Sequence, residues 1–161
     1  MPALVLETPD METAVTALID RVFGPGRFAK VSERLREGNR LLADCSFVAI
    51  RESRPVASVR MWPVTIGGAP AAFLGPLAVD PDERSAGLGQ ALVERACQAA
   101  GAAGWKAVLL VGDAAYFSRV GFSGAGTAGV VMPGPVDPRR VLLRTLGPGG
   151  QDDFSGHVAV P

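Results

Sequence analysis

The chain has 161 residues, 48% of them hydrophobic, which suits one domain with one buried core. Sixteen basic and sixteen acidic residues cancel, so no global field draws it to nucleic acid or to an anionic membrane. No apolar stretch is long enough to span a bilayer, and Met1-Pro2-Ala3 lacks the basic flank and apolar core of a signal peptide. Cys45 and Cys97 lack metal-ligand spacing and read as buried free thiols, so a soluble cytoplasmic protein without a metal is expected.

Residues 3–6 (Ala-Leu-Val-Leu) form a short strand pattern ended by Thr8-Pro9. Asp10 follows at an N-cap position, and Val15, Leu18, Ile19 and Val22 recur at helical spacing up to Gly24-Pro25-Gly26. A second helix is expected over about 28–38, its charges (Lys30, Glu33, Arg34, Arg36, Glu37) forming a solvated face. Two strands, beginning at Phe47 and at Val56, flank a tight turn at Ser53-Arg54-Pro55. Gly67-Gly68 turns the chain into a third strand over about 71–79. The main helix spans about 87–103, with Leu88, Ala91, Leu92, Ala96, Ala99 and Ala103 along one face. After Gly104, residues 107–111 are a continuous apolar run, as in a strand covered on both faces. Asp113 caps a short helix through Arg119, and Gly121-Phe122 leads out. Beyond it, Val130-Val-Met and 141–146 read as strands in a glycine- and proline-rich region. This order predicts a mixed α/β sheet in a single domain over 1–146, with 147–161 an irregular tail.

The most specific stretch is Leu77-Ala78-Val79-Asp80-Pro81, then Arg84-Ser85-Ala86-Gly87-Leu88-Gly89-Gln90. A strand stops, a polar turn follows, and a glycine pair opens a helix. First-turn amides lack intrahelical partners and the helix dipole adds positive charge, so this junction suits an anion, with Arg84 beside it. A nucleotide loop of the Gly-Lys-Ser/Thr type is excluded, because Gln90 follows Gly89. A dinucleotide fingerprint fails too: Leu92 holds the third glycine position, and no acidic residue stands at the next strand end.

The string Leu77-Ala78-Val79, Pro81, Arg84, Gly87, Gly89, Ala91, Leu92 resembles the coenzyme A loop of the GNAT superfamily of N-acetyltransferases. A second likeness is Tyr116-Phe117-Ser118-Arg119-Val120-Gly121-Phe122, which is similar to the family's aromatic-rich helix ending in Gly-Phe. Gly24-Pro-Gly-Arg-Phe-Ala-Lys, Leu110-Val-Gly-Asp and Met132-Pro-Gly-Pro-Val further resemble the YhbS-like predicted bacterial acetyltransferases. The resemblance implies a central twisted mixed sheet, splayed into a cleft and flanked by helices. It implies acetyl-CoA as co-substrate and a small-molecule or protein amine as acceptor, and it leaves a homodimer open. The backbone edge of Leu77, Ala78 and Val79 would pair with the amide-bearing pantetheine arm. The amide near Leu77 or Ala78 would polarise the thioester carbonyl. The amides of Arg84, Ser85, Ala86, Gly87, Leu88, Gly89 and Gln90 would hold the diphosphate.

The family's usual tyrosine acid lies four residues before the glycine of Gly-Phe, and here that position is Phe117. Three readings stand open: Tyr116 serves as the acid from a shifted register, the thiolate leaves without a tyrosine, or the protein binds acyl-CoA with little or no turnover. A packed aromatic is the competing role for Tyr116, and Ser118 is a weaker donor candidate. Glu33, Glu37, Asp44 and Glu52 are candidates for the base, each with a surface charge as the alternative. Trp62 and Phe28 are candidates for the acceptor side, and His157 lies outside the expected elements.

Overall fold

The computed structural model describes residues 2–147 and 154–161. Its strands are β1 (Ala3–Leu6), β2 (Phe47–Arg51), β3 (Arg54–Ile66), β4 (Ala69–Val79), β5 (Ala107–Val111), β6 (Val130–Val131), β7 (Val141–Thr145) and β8 (Gly156–Ala159). The helices are α1 (Glu12–Phe23), α2 (Leu88–Ala102) and α3 (Ala114–Phe117). The sheet runs β1-β2-β3-β4-β5-β7, with β8 against β3 and β6. Its pairs are antiparallel except β4 with β5 and β6 with β8. This is the mixed α/β sheet that the chain order predicts.

The hairpin turns explain the sheet's first half. Glu52 and Ser53 both take positive φ (51° and 63°) between β2 and β3, and Gly67 and Gly68 do so between β3 and β4. Turns with two such residues match the twist of the strands they join. The first lies one residue earlier than expected, because Pro55 is tolerated at the start of a strand and pairs with Ile50. Phe47 and Ala49 face the cluster that contains Leu88, Leu92 and Val93 of α2, whereas Val48 packs with Val15, Leu18 and Ile19 of α1. Strand alternation therefore puts the two long helices on opposite faces. The buried stripe of α2 takes in Val93, Cys97 and Ala100, while Ala103 is exposed.

Two expectations are corrected. The second helix is replaced by two short 3-10 segments, Pro25–Ala29 and Val31–Leu35, separated by Lys30 in an extended conformation. Its charges are not all solvated: Glu33 is buried and paired to Arg27 and Arg36 at 3.7 and 3.2 Å. The tail after Gly147 is not irregular throughout. Residues 148–153 lie outside the described residues, but β8 pairs with β3 through Thr65↔Ala159 and Ile66↔Val158, and Val158 is buried.

One feature of the sheet makes a cleft. β4 and β5 pair only at Ala72↔Val108 and Phe73↔Leu109. Beyond these pairs β4 follows β3, with a register shift between Val59 and Met61, while β5 follows β7 as far as Val111↔Val141. The two parallel strands thus part, leaving the segment Leu74–Val79 with no strand partner on its β5 side among the described residues.

Candidate active site

Two adjoining cavities, about 990 and 560 Å³, fill the opening between β4 and β5. Phe23, Leu77, Arg84 and Tyr116 line both. The smaller contains Val79, Gly87, Gly89 and Gln90. The larger reaches from Gly75-Pro76 on β4 to Gly112-Asp113 after β5, under Arg27, Lys30 and Arg36.

The turn between β4 and α2 is built from its own side chains. The Asp80 carboxylate accepts the Asp82 amide at 3.1 Å and starts a 3-10 turn, Pro81–Ala86. Arg84 is exposed, and its Nε donates to the Val79 carbonyl at 3.3 Å. Ser85 and Ala86 belong to this turn by their backbone, and their side chains lie outside the described residues. Gly87 sits at φ 70°, ψ 15° and precedes α2 without a capping side chain. The first helical bond there is Ala91 N–H to Gly87 C=O at 3.1 Å, so the amides of Leu88, Gly89 and Gln90 stand ahead of the helical ladder. The two glycines differ in purpose. Nothing lies within 4 Å of a Cβ at Gly87, so its left-handed φ is the requirement. A Cβ at Gly89 would collide with the Tyr116 hydroxyl and lie 3.3 Å from Val79 Cγ2, so there the requirement is space.

On β4, Leu77 and Val79 turn toward the cavities, while Ala78 is buried in the α1 cluster. Any contribution of Ala78 to the cleft is therefore made by its backbone. Leu88 is also a core residue, fully buried under the sheet.

Opposite this loop, Asp113 caps α3 by accepting the Ala115 amide at 3.3 Å. The one-residue step from Tyr116 to Phe117 sends the rings to different places. They meet edge to face at 4.9 Å and 80°. Phe117 turns toward β5, where a Cβ at Gly112 would lie 2.5 Å from its Cε2, and packs 6.0 Å from Phe122. Tyr116 reaches across to Gly89, with its hydroxyl where the two cavities join. Burial raises the pKa of that phenol above its ordinary value, so it keeps its proton at neutral pH.

The sequence profile described as an acetyltransferase (GNAT) domain matches residues 43–123. Over 120 residues the chain is 33% identical to the uncharacterized N-acetyltransferase YhbS of Escherichia coli K12, covering 73% of this chain and 71% of that protein. The chain belongs to the GNAT acetyltransferase family. The crystal structure of E. coli YhbS in complex with CoA superposes with a TM-score of 0.85 at 27% identity, over 99% of this chain and 89% of that one. A GNAT acetyltransferase from Brucella melitensis in complex with acetyl-CoA shares the fold, with a TM-score of 0.74 at 22% identity over 99% and 95% of the two chains. The general activity of this GNAT chain is therefore acetyl-CoA-dependent acyl transfer.

Several residues singled out in the sequence lie away from the GNAT cleft. Glu37, Asp44 and Glu52 are exposed and Glu33 is locked between two arginines; none of the four lines either cavity. His157 is exposed on β8, and Phe28 is 55% exposed beneath Arg27. Trp62 acts from behind, its Nε1 donating to the Gly75 carbonyl at 2.6 Å. Ser118 donates within its own turn, to Ala115 O at 3.1 Å. Among the described residues there is no group of three or more His, Cys, Asp or Glu arranged for a metal, and no helix is long and apolar enough to cross a membrane. Sequence reasoning missed the acids that do line the larger cavity, Asp113 and Asp137. It also missed Arg36, which lay in the segment read as a solvated helix.

Proposed function

We propose that the cleft binds acetyl-CoA along the free edge of β4 and transfers its acetyl group to a primary amine by direct attack in a ternary complex. The observation that carries this reading is the parting of β4 and β5 beside the start of α2. An unpaired strand edge suits the amide-bearing pantetheine arm, through the backbone of Leu77, Ala78 and Val79. The amides from Arg84 to Gln90, with the dipole of the 15-residue α2, suit the diphosphate. Gly89 leaves room between the helix and Tyr116 that a Cβ would fill. The likeness to YhbS, whose crystal structure is a complex with CoA, supports the same assignment.

In this mechanism the neutral amine nitrogen attacks the thioester carbonyl carbon. The new C–N bond forms, the C–S bond breaks, and the nitrogen gives up a proton to solvent. The amide at Leu77 or Ala78 stabilises the carbonyl oxygen as it gains charge. Tyr116 gives its hydroxyl proton to the departing thiolate, as general acid, and recovers one from solvent. Its position at the join of the two cavities, beside Gly89, favours this role over that of a packed aromatic. The buried free thiols of Cys45 and Cys97 fit a cytoplasmic setting.

One observation favours a second reading, an acyl-CoA-binding module with little or no turnover: Phe117, which carries no proton, holds the family's tyrosine position. A panel of amines offered with acetyl-CoA, followed by release of free thiol, separates the two. Acceptor-dependent release is expected from the enzyme. Tight coenzyme A binding without release across the panel would select the module.

A further inference from the structure

The larger cavity carries more positive charge than an acyl donor needs. Its lining holds Arg27, Lys30, Arg36, Arg84 and Arg140 against Asp113 and Asp137. Asp137 is already engaged by Arg139 at 3.0 Å, and Asp113 caps α3. The donor's phosphates belong, on the reading above, at the other end of the cleft, where Arg84 and the amides of α2 stand. Arg27, Lys30, Arg36 and Arg140 line only the larger cavity; Arg27 is paired to Asp20 at 2.9 Å, and the charge of the other three serves something else.

Arg36 is the most built of them. Its Nη1 donates to the Glu33 carboxylate at 3.2 Å, and the buried Glu33 is held in turn by Arg27 at 3.7 Å. Its guanidinium lies 5.8 Å from the Phe73 ring centre, and a Cβ at Gly75 would come within 2.6 Å of its Nη2. Nε is buried and has no acceptor among the described residues. A buried N–H of a charged group without an acceptor costs stability, so an arrangement that leaves one open points to a ligand. With Nη1 spent on Glu33, the unspent edge is Nε with Nη2, a planar fork that matches the two oxygens of a carboxylate. Gly75 and Leu77 are two residues apart on β4, and both line the larger cavity. An anion on the fork would thus place a nearby amine close to the acyl-transfer point.

We propose that the acceptor is an amino acid-like amine whose carboxylate, a few bonds from the amine, is bound by the Nε–Nη2 edge of Arg36. This inference rests on the transfer reading above for its biological sense, though not for its test. Arg36 then selects the acceptor, and Glu33 is a positioning residue that keeps the fork turned to the cavity.

The test is binding of product analogues to the protein saturated with CoA, measured by calorimetry. The probes are N-acetylphenylalanine and N-acetylmethionine, each beside the acetamide lacking its α-carboxylate, and N-acetyl-O-phosphoethanolamine. Carboxylates should bind at least about tenfold more tightly than their decarboxylated partners, as charge-assisted bonds to a buried fork would give. Arg36→Gln should erase this preference, and Arg36→Lys should keep only part of it, because an ammonium has no fork. CoA affinity should be unchanged in both variants. If Arg36→Gln fails to fold, the wild-type preference and the Arg36→Lys variant decide. Equal binding of the two series, no binding of any carboxylate, a phosphate preferred over the carboxylates, or a preference that survives Arg36→Gln would each overturn the proposal. Carboxylate binding as expected, with none of the parent amino acids acetylated, would leave the site standing and remove the transfer reading instead.

Discussion

Tyr116 and Phe117 are adjacent and both line the larger cavity, yet only Tyr116 also reaches the smaller one beside Gly89, and that separation makes distinct predictions for each. Tyr116→Phe should lower acceptor-dependent thiol release by roughly 10²-fold or more, the usual effect of a lost general acid. Coenzyme A affinity, read by calorimetry, should change little, because the proton acts on the leaving group. Because burial raises the phenol's pKa, any alkaline loss of activity from Tyr116 should fall above its ordinary value of about 10. Phe117→Tyr should not rescue Tyr116→Phe, since the Phe117 ring packs against Gly112 rather than facing Gly89. The cysteines give a second residue-scale test. Burial pushes the thiols of Cys45 and Cys97 up to about 12. Both should resist iodoacetamide at pH 8 in the native protein and react once it is unfolded. Their folded pKa lies above the unfolded value of 9.0, so the stability they contribute is complete below pH 9 and is lost as pH rises toward 12. Chemical denaturation across that range should show the decline, and replacing both by Ala should flatten it. That the thiols are free was readable from their spacing. That the tyrosine's shifted register still reaches the cleft was not, because it depends on where α3 lands against α2.

At the scale of elements, the β4–α2 junction was legible almost residue by residue. A glycine pair that opens a helix just after a strand marks a backbone needing close approach or left-handed dihedrals, which side chains oppose. Helix α2 accordingly begins at Leu88, one residue from the expected start. The structure divides the work of the pair, which the sequence could not. Gly87→Ala should cost about 1–2 kcal/mol in thermal or chemical unfolding, for forcing a Cβ into a left-handed conformation. Gly89→Ala, where the backbone is unstrained but the space is taken, should displace Tyr116 and weaken coenzyme A binding in calorimetry. The segment after Gly24 was misread for an equally local reason. Its charges have helical spacing, but Lys30 breaks the run, and Glu33 turns inward to pair with arginines from both sides of that break. Charge spacing alone cannot show which face of a segment the rest of the fold will cover.

Over the whole molecule, the sheet holds itself together across long sequence separations, and its last strand illustrates the cost of losing one. Truncation after Gly147 should expose the face that Val158 covers, lowering stability by about 1.5–3 kcal/mol from that side chain alone. A melting experiment on the shortened chain would show a lower Tm, and an unchanged Tm would mean β8 adds nothing. The strand escaped the sequence reading because Gly156–Ala159 is four residues long and partly polar; its order comes from pairing with β3 and β6. By itself the sequence determined the α/β order and the glycine turn that opens α2, because each rests on chain-local chemistry, apolar period and glycine freedom, while the likeness of that turn's motif pointed to the family. Only the tertiary structure decided where β4 leaves β5, which way Tyr116 points and that Arg36 faces a cavity. Those depend on pairing registers and packing between segments distant in the chain, and neither is written in the spacing of neighbouring residues.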